Sequence, residues 1–273
     1  MMSIGKIPYL NVEPFYALWP NEKGEFGKGN SEFSQRGDKH TIRTPHSPFK
    51  SITVTPRRLG ELAEKGEVDG GVMSIYDYFR LSDQFEPIGD FGIAVSGPVK
   101  SVLLYSKGPV ESLQGGRVGI TPETSTAFRL LRLLLEVKYG VHPRQYLQGI
   151  RDGVDGRLVI GNEALKGDGK DFPFVMDLAE EWWDWRNLPF VFARWVMRRS
   201  LPVDRKWSLW NFLRKSFKEG MENLDEIAQR FSGDLGEAVH LKNYLENFIY
   251  RIGPKEEQGE RKFKHLIEEY GIT

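Results

Sequence analysis

The sequence contains no cysteine, which excludes disulfides, thiolate metal ligands and thiol nucleophiles together. Histidine is scarce as well, and the few residues present lack the spacing of metal ligands. They are His40, His46, His142, His240 and His265. We therefore predict no metal site and no other cofactor.

An excess of charge of either sign is also missing. The 38 Lys and Arg residues balance the 38 Asp and Glu residues, so the formal net charge is zero. Such a chain has no overall field that would recruit nucleic acid or an anionic membrane. The expected partner is a small molecule, with no nucleic acid and no membrane, and the oligomeric state stays open.

Long hydrophobic runs are absent too, since no apolar stretch reaches membrane-spanning length. The chain opens with MMSIGKIPYLN and enters a strand without a charged segment followed by an apolar one. We therefore expect a cytoplasmic protein. What is present, 40% hydrophobic and 12% aromatic residues in a chain of 273, favours two lobes over one core.

The stretch from Arg117 to Gly140 predicts a strand, a short loop and an amphipathic helix. Four hydroxyl side chains stand at the first turn of that helix, and they are Thr121, Thr124, Ser125 and Thr126. The first backbone N–H groups of a helix lack partners and its dipole is positive there, so a carboxylate or phosphate fits. The alternative, that one hydroxyl is simply an N-cap, stays open.

Two polar residues follow predicted strands in the N-terminal part. Asn11 comes directly after the predicted strand Ser3–Leu10, and Ser74 follows the predicted strand Val68–Met73. Ligands of α/β sheets collect at the carboxyl ends of strands, so both residues can face one cleft. Each also has a purely structural interpretation. Asn11 can cap the next helix, and Ser74, with Asp77 three residues on, matches a capping box.

The remaining chain indicates a hinged protein with a helical C-terminal part. Residues 21–50 lose periodicity and predict a long surface excursion. Extended stretches near Ile93 to Lys100 and near Phe192 to Met197 predict two crossovers between lobes. Four amphipathic helices are predicted after them, at Val203–Lys218, Met221–Arg230, Leu235–Ile249 and Pro254–Tyr270.

Six stretches in this order resemble the chorismate dehydratases of the futalosine route to menaquinone: YLNVEP, VDGGVMSIYDY, GPVKSVLLYSKGPVESLQG, LVIGNEAL, DLAEEWWDWRNLPFVFARW and YRIGPKEEQGERKF. The resemblance spans nearly the whole chain, and LPFVFARW is its most specific part. It implies an α/β, two-lobed type II periplasmic-binding-protein-like fold with a hinged interlobe cleft and C-terminal helices. The first lobe would contain residues 1–95 plus 195–273, and the second 96–194.

The resemblance also implies roles for single residues. Asn11 and Ser74 would be catalytic; substrate-binding residues would be Thr124, Ser125 and Thr126, with Ser101 and Asn162 as weaker candidates for lining the cleft. The chain departs from the family pattern in three places. It has Ser74-Ile75-Tyr76-Asp77-Tyr78 where Ser-Ser-Ile-Glu-Tyr is usual, Asn162 where Asp is common, and a longer excursion at 21–50.

The implied reaction is that of a carbon–oxygen lyase, which removes water from the dianion chorismate to give 3-(1-carboxyvinyloxy)benzoate. The substrate's own enolpyruvyl carboxylate can reach the ring proton at C3, so the protein need not supply a base. Two alternatives remain open. One is a non-catalytic cytoplasmic small-carboxylate-binding protein of the same fold, since fold alone does not give activity. The other is 1,4-dihydroxy-6-naphthoate synthase, which shares the fold.

Overall fold

The fold is taken from a computed structural model that describes residues 1–19, 49–149, 152–167 and 172–272. The predicted excursion 21–50 lies outside these ranges except for its last two residues, Phe49 and Lys50, which begin a strand. Within the described ranges, no helix has both the length and the apolar character needed to cross a bilayer.

The strands of the described chain are β1 (Met2–Lys6), β2 (Phe49–Thr53), β3 (Gly70–Ser74), β4 (Phe85–Val95), β5 (Val102–Ser106), β6 (Arg117–Ile120), β7 (Gln145–Gln148), β8 (Gly156–Ile160), β9 (Phe174–Asp177), β10 (Phe190–Arg198) and β11 (Ile249–Arg251). In the described residues they form a six-stranded sheet of order β11-β4-β10-β3-β1-β2 and a five-stranded sheet of order β7-β6-β8-β5-β9. Both sheets mix parallel and antiparallel pairs. The first sheet combines strands from the two ends of the chain, whereas the second uses one continuous stretch.

The α-helices of the described chain are α1 (Pro56–Glu64), α2 (Ile75–Arg80), α3 (Thr126–Arg132), α4 (Asn162–Lys166), α5 (Leu178–Arg186), α6 (Val203–Glu222), α7 (Leu224–Phe231), α8 (Ala238–Glu246) and α9 (Pro254–Glu269). A π-helical turn, Leu133–Lys138, continues α3 directly. Helix α1 begins as its sequence indicates, because Thr55 accepts a hydrogen bond from the Arg58 N–H and Pro56 follows it. The four predicted C-terminal helices correspond to α6 to α9.

The N-terminal segment differs from its prediction. The first strand ends at Lys6 rather than Leu10, and the chain then forms a 3₁₀ helix at Leu10–Tyr16. Pro8 explains the early end, because proline has no N–H to donate to a strand ladder. Asn11 consequently lies in the first turn of the 3₁₀ helix and not directly after a strand.

A cluster of aromatic rings anchors this 3₁₀ helix to the first sheet and to α6. The side chain of Phe15 is fully buried. It stacks on Phe217 with 4.8 Å between ring centroids and meets Phe91 and Trp195 edge-on at 5.8 and 5.6 Å. Burying one such side chain contributes about 1.5–3 kcal/mol, so the packing fixes where the helix lies.

Polar contacts with α6 fix the same segment. Ser216 donates a hydrogen bond to the Phe15 carbonyl at 2.8 Å and accepts one from the Leu18 N–H at 3.0 Å. Gly220 allows the backbones to touch, since a Cβ added there would lie 2.0 Å from the Pro14 carbonyl oxygen. The C-terminal part of the chain therefore positions an N-terminal segment.

The chain passes from the first sheet to the second between β4 and β5, and returns through α5 to β10. The predicted return crossover, Phe192 to Met197, lies inside β10, which pairs with both β3 and β4. These residues are therefore part of the first sheet and not a free connection. The division into lobes of residues 1–95 plus 195–273 and 96–194 stays a prediction.

Candidate functional site

A cavity of about 610 Å³, including its open mouth, lies between the two sheets. Most of its wall is apolar, formed by Ile7, Pro56, Val72, Ile93, Val99, Val102, Ala127, Ile160, Phe192 and Ala193. Its polar side chains are Tyr9, Asn11, Ser74, Ser101, Ser125 and Thr126. No charged side chain lines the cavity in the described part of the chain.

The cavity brings together most of the site residues predicted from the sequence. Five of them line it: Asn11, Ser74, Ser101, Ser125 and Thr126. The other two, Thr124 and Asn162, do not line it. The lining residues come from both sheets, so the two halves of the protein share one cavity.

Ser74 ends β3 and caps α2. Its Oγ accepts a hydrogen bond from the Asp77 N–H at 3.2 Å, and its hydroxyl donates to Asp77 Oδ2 at 2.6 Å. The predicted N-cap role is therefore confirmed. Both side chains are buried, with 6% of Ser74 and 5% of Asp77 exposed.

Asn11 reaches the cavity from the 3₁₀ helix. Its Oδ1 is buried and has no hydrogen-bond partner among the described residues. A buried polar atom without a partner is uncommon and costs free energy. The Oδ1 atom of Asn11 is therefore available to accept a hydrogen bond from a ligand.

The side chains of the hydroxyl loop, defined as Thr121–Thr126, have different roles. Thr121 donates its hydroxyl to the Leu158 carbonyl at 2.7 Å, which ties the loop to β8. Ser125 occupies the N-cap position of α3, but its side chain makes no capping hydrogen bond. Because Ser125 lines the cavity instead, its hydroxyl can donate to a bound anion.

Thr126 links the hydroxyl loop to α2, the helix that follows β3. Its Oγ1 accepts a hydrogen bond from the Tyr76 N–H at 3.2 Å. One turn further along α3, the Arg129 guanidinium lies 4.0 Å from the centre of the Tyr76 ring and 3.4 Å from the Ser125 carbonyl oxygen. A cation thus lies behind the loop without lining the cavity. It adds positive potential to the N-terminus of α3, where an anion is favoured.

Asn162 joins the two halves of the protein instead of lining the cavity. Its Oδ1 accepts a hydrogen bond from the Leu10 N–H at 3.1 Å, and its Nδ2 donates to the Pro8 carbonyl at 3.1 Å. Both the oxygen and the nitrogen of the Asn162 side chain thus form hydrogen bonds with the segment that leads to Asn11. The structure gives Asn162 a bridging position where the sequence predicted a lining one.

Ser101 lines the cavity from the connection between the sheets. It is 2% exposed, and its Oγ accepts a hydrogen bond from the Tyr244 hydroxyl at 2.9 Å. Burial raises the pKa of Tyr244, so its phenol stays protonated and keeps donating. The Ser101 hydroxyl itself donates to the Val99 carbonyl at 3.5 Å.

Sequence reasoning did not identify Tyr9. Its Oη is buried without a partner in the described chain, and its ring packs on Gly161, where a Cβ would lie 2.6 Å from the ring. Burial, followed by the charges of Glu123 and Glu163, raises the pKa of Tyr9, so it remains a neutral hydrogen-bond donor. The available sequence signal was Pro8, which ends β1 early and moves Tyr9 next to Asn11 in the cavity wall.

Among the described residues, no group of three or more His, Cys, Asp or Glu side chains is arranged to hold a metal ion. The site is built from hydroxyls, one carboxamide and one phenol on apolar walls. Such groups bind an oxygen-rich ligand through hydrogen bonds, and they stabilise developing charge best where water is excluded.

A family model described as menaquinone biosynthesis matches residues 2–269. The chain belongs to this family. Among its relatives, the chorismate dehydratase of Thermus thermophilus is 33% identical over 242 residues, which cover 80% of this chain and 87% of that protein. The chorismate dehydratase of Campylobacter jejuni is 32% identical over 268 residues, 96% of each chain. The resemblance stated from the sequence motifs is confirmed.

A relative of lower identity has a different name. The 1,4-dihydroxy-6-naphtoate synthase of Thermus thermophilus is 24% identical over 232 residues, which cover 81% of this chain and 83% of that protein. Its identity to this chain is lower than that of either chorismate dehydratase.

Solved structures support the fold class of this family member. A protein of Archaeoglobus fulgidus superimposes with a TM-score of 0.73 at 14% identity and covers 100% of this chain and 98% of that chain. The periplasmic aliphatic sulphonate binding protein of Escherichia coli gives a TM-score of 0.61 at 13% identity, with 99% and 92% covered. At such identities the likeness concerns the fold. The predicted periplasmic-binding-protein-like α/β fold is confirmed.

Proposed function

We propose that this protein is a chorismate dehydratase, which removes water from chorismate to give 3-(1-carboxyvinyloxy)benzoate in menaquinone biosynthesis. The observation that carries the proposal is the shared cavity. Asn11 and Ser74 line it from the first sheet, and Ser125 and Thr126 line it from the second. Identity to two chorismate dehydratases over most of the chain supports the choice of substrate.

The absence of charged side chains from the described cavity wall fits this reaction. The C3 proton of chorismate is acidified through the conjugated ring carboxylate, the C4 hydroxyl leaves, and aromatisation drives the product side. The enolpyruvyl carboxylate of the substrate can take the C3 proton, so neither a protein carboxylate nor a histidine is needed beside the ring. The protein contributes orientation, hydrogen bonds to developing charge and a cavity that excludes water.

The proposed roles follow the two sides of the cavity. Ser125 and Thr126 bind a substrate carboxylate at the N-terminus of α3, with Arg129 behind them. Asn11 and Ser74 contact the C4 hydroxyl, and Asn11 donates from its amide to the departing oxygen. On this proposal the protein is a carbon–oxygen lyase. The cytoplasmic location and the lobes of residues 1–95 plus 195–273 and 96–194 belong to the same proposal.

Incubation of the purified protein with chorismate tests the proposal directly. Ultraviolet absorbance should report formation of an aromatic ring, and mass spectrometry should report a product lighter than chorismate by one water. Tight binding of chorismate without turnover would instead favour a non-catalytic carboxylate-binding protein. Failure to bind chorismate would instead favour 1,4-dihydroxy-6-naphthoate synthase. The argument against that enzyme is that its relative is less identical to this chain than the two chorismate dehydratases are.

Ser125→Ala should weaken binding of the dianionic substrate. The change removes one donor to a charged group, worth about 1.5 to 3 kcal/mol, so the Kd should rise roughly tenfold to a hundredfold. Isothermal titration calorimetry checks this. Thr121→Val is the matched control, because Thr121 donates its hydroxyl to Leu158 and not to the cavity. Equal affinities for Ser125→Ala and the unmodified protein would reduce the hydroxyl loop to a structural role.

Tyr9→Phe should weaken substrate binding without lowering stability. The Tyr9 hydroxyl has no partner in the described protein, so its loss breaks no hydrogen bond of the free enzyme, whereas one to a ligand contributes about 0.5 to 1.5 kcal/mol or more. A higher KM would show the weaker binding, and an unchanged melting temperature would show that stability is kept. Tyr16→Phe is the contrast, because the Tyr16 hydroxyl donates to the Gly5 carbonyl at 3.1 Å and its loss should lower stability alone.

A further inference from the structure

The hydrogen bonds around Ser74 fix which way its hydroxyl points. The hydroxyl has a single proton, and this proton is donated to Asp77 Oδ2 at 2.6 Å. One lone pair of Oγ is used by the Asp77 N–H at 3.2 Å. The second lone pair is left for the cavity that Ser74 lines. In this arrangement Ser74 can accept a hydrogen bond from a ligand but cannot donate one.

Asp77 is itself held in place from two sides. Its Oδ1 faces Arg80, whose Nη2 lies at 3.3 Å and whose Nε lies at 3.4 Å. On the other side, Gly60 of α1 packs directly on the carboxylate, since a Cβ added to Gly60 would lie 2.7 Å from Asp77 Cγ and 2.9 Å from both oxygens. The carboxylate therefore has little room to turn away from Ser74.

We propose that Asp77 is a positioning residue that holds the proton of Ser74, so that Ser74 faces the substrate as a hydrogen-bond acceptor. A ligand that satisfies such an oxygen must bring an O–H or N–H donor. Building on the proposed function, the C4 hydroxyl is the only O–H donor of chorismate once both carboxylates are ionised. Asp77 thus orients the leaving group through Ser74, and Asn11 remains the donor to its oxygen.

A double-mutant cycle on Ser74 and Asp77 tests whether Asp77 acts through Ser74. Asp77→Ala keeps the backbone N–H that Ser74 caps and removes only the carboxylate. We expect kcat to fall about tenfold, the size of one hydrogen bond, with a smaller change in KM. In the Ser74→Ala background, Asp77→Ala should lower kcat no further. Independent effects that multiply in the double variant would overturn the proposal.

Three single variants separate positioning from stability. Glu64→Gln removes an ion pair of Arg80 at 3.5 Å without touching Asp77 or the Ser74 bond, and we expect at most a small fall in melting temperature with kcat unchanged. Asp77→Glu keeps a carboxylate and should recover most of the lost kcat. Gly60→Ala leaves Asp77 chemically intact but displaces its carboxylate, and it should lower kcat as Asp77→Ala does. Normal kcat in a folded Gly60→Ala protein would count against the proposal.

A second readout does not depend on chorismate. A serine hydroxyl that donates to a buried carboxylate exchanges slowly with water, so proton NMR of the Ser74 hydroxyl should give a signal in the unmodified protein and none in Asp77→Ala. Absence of that signal from the unmodified protein, or its persistence in Asp77→Ala, contradicts the proposal. If the unmodified protein fails to dehydrate chorismate, the proposed function falls, whereas the Asp77–Ser74 inference is still decided by this signal.

Discussion

Asn11→Ala should lower kcat for chorismate dehydration by about a hundredfold or more, because a donor aimed at charge that develops in the transition state contributes about 2.7 to 4 kcal/mol. The carboxamide of Asn11 lies on the cavity wall, and the donor that we propose is its Nδ2 amide group. Since the proposed carboxylate contacts come from Ser125 and Thr126 on the other sheet, KM should change only modestly.

Steady-state kinetics and calorimetry on the same Asn11→Ala protein measure the two effects separately. The variant should bind chorismate with nearly unchanged Kd while it turns over slowly, the reverse of the pattern expected for Ser125→Ala. A melting temperature close to that of the unmodified protein shows that the 3₁₀ helix is intact. If Asn11→Ala weakens binding and leaves kcat within threefold, the assignment of Asn11 to the leaving group is wrong.

Gly220→Ala should destabilise the protein by about 3 kcal/mol, the upper end for overpacking a buried contact. In an open helix the same change would stabilise the protein by about 1 kcal/mol. The sign of the change in the free energy of unfolding therefore tells whether Gly220 is in close contact with another backbone. The reason is the 2.0 Å approach of the added Cβ to the Pro14 carbonyl, a backbone atom that cannot rotate away. The displaced 3₁₀ helix should also misplace Asn11 and reduce kcat.

Thermal and urea unfolding check the loss of stability, and Lys218→Ala provides the matched control. Lys218 lies on the same helix with its side chain 75% exposed, so its replacement should change the free energy of unfolding by no more than about 0.5 kcal/mol. Equal or higher stability of Gly220→Ala would mean that α6 does not press on the 3₁₀ helix as described.

The regular elements of the fold were predictable because their sequences carry local signals. Thr55-Pro56 marks the start of α1, and the four C-terminal helices follow from their apolar periodicity. The N-terminal 3₁₀ helix and the place of β10 were not predictable, since both depend on tertiary contacts. Phe192 to Met197 reads as an extended segment, but only its pairing with β3 and β4 makes it the centre of a sheet.

The site was predictable to the extent that strand ends and helix starts are local features. Ser74 and Ser125 lie on the cavity wall because they stand at the junctions β3–α2 and β6–α3. Asn162 also stands at such a junction, yet its amide bonds to Pro8 and Leu10 across the cleft. The position of Tyr9 depends on the early end of β1. Partners that are distant in sequence decide the position of Asn162, whereas the local effect of Pro8 on β1 decides that of Tyr9.

The order of strands in the first sheet affects how the protein folds while the ribosome synthesises it. β3 and β4 follow each other closely in the chain, but β10 separates them in the sheet, so both keep an unpaired edge until the ribosome has made β10. The second sheet uses β5 to β9 in one continuous stretch and can close earlier, because shorter loops cost less entropy to form. Pulse-labelled hydrogen exchange during refolding should therefore protect amides of β5 and β8 before those of β3 and β4. A nascent chain halted before β10 would expose the unpaired edges of β3 and β4 to aggregation.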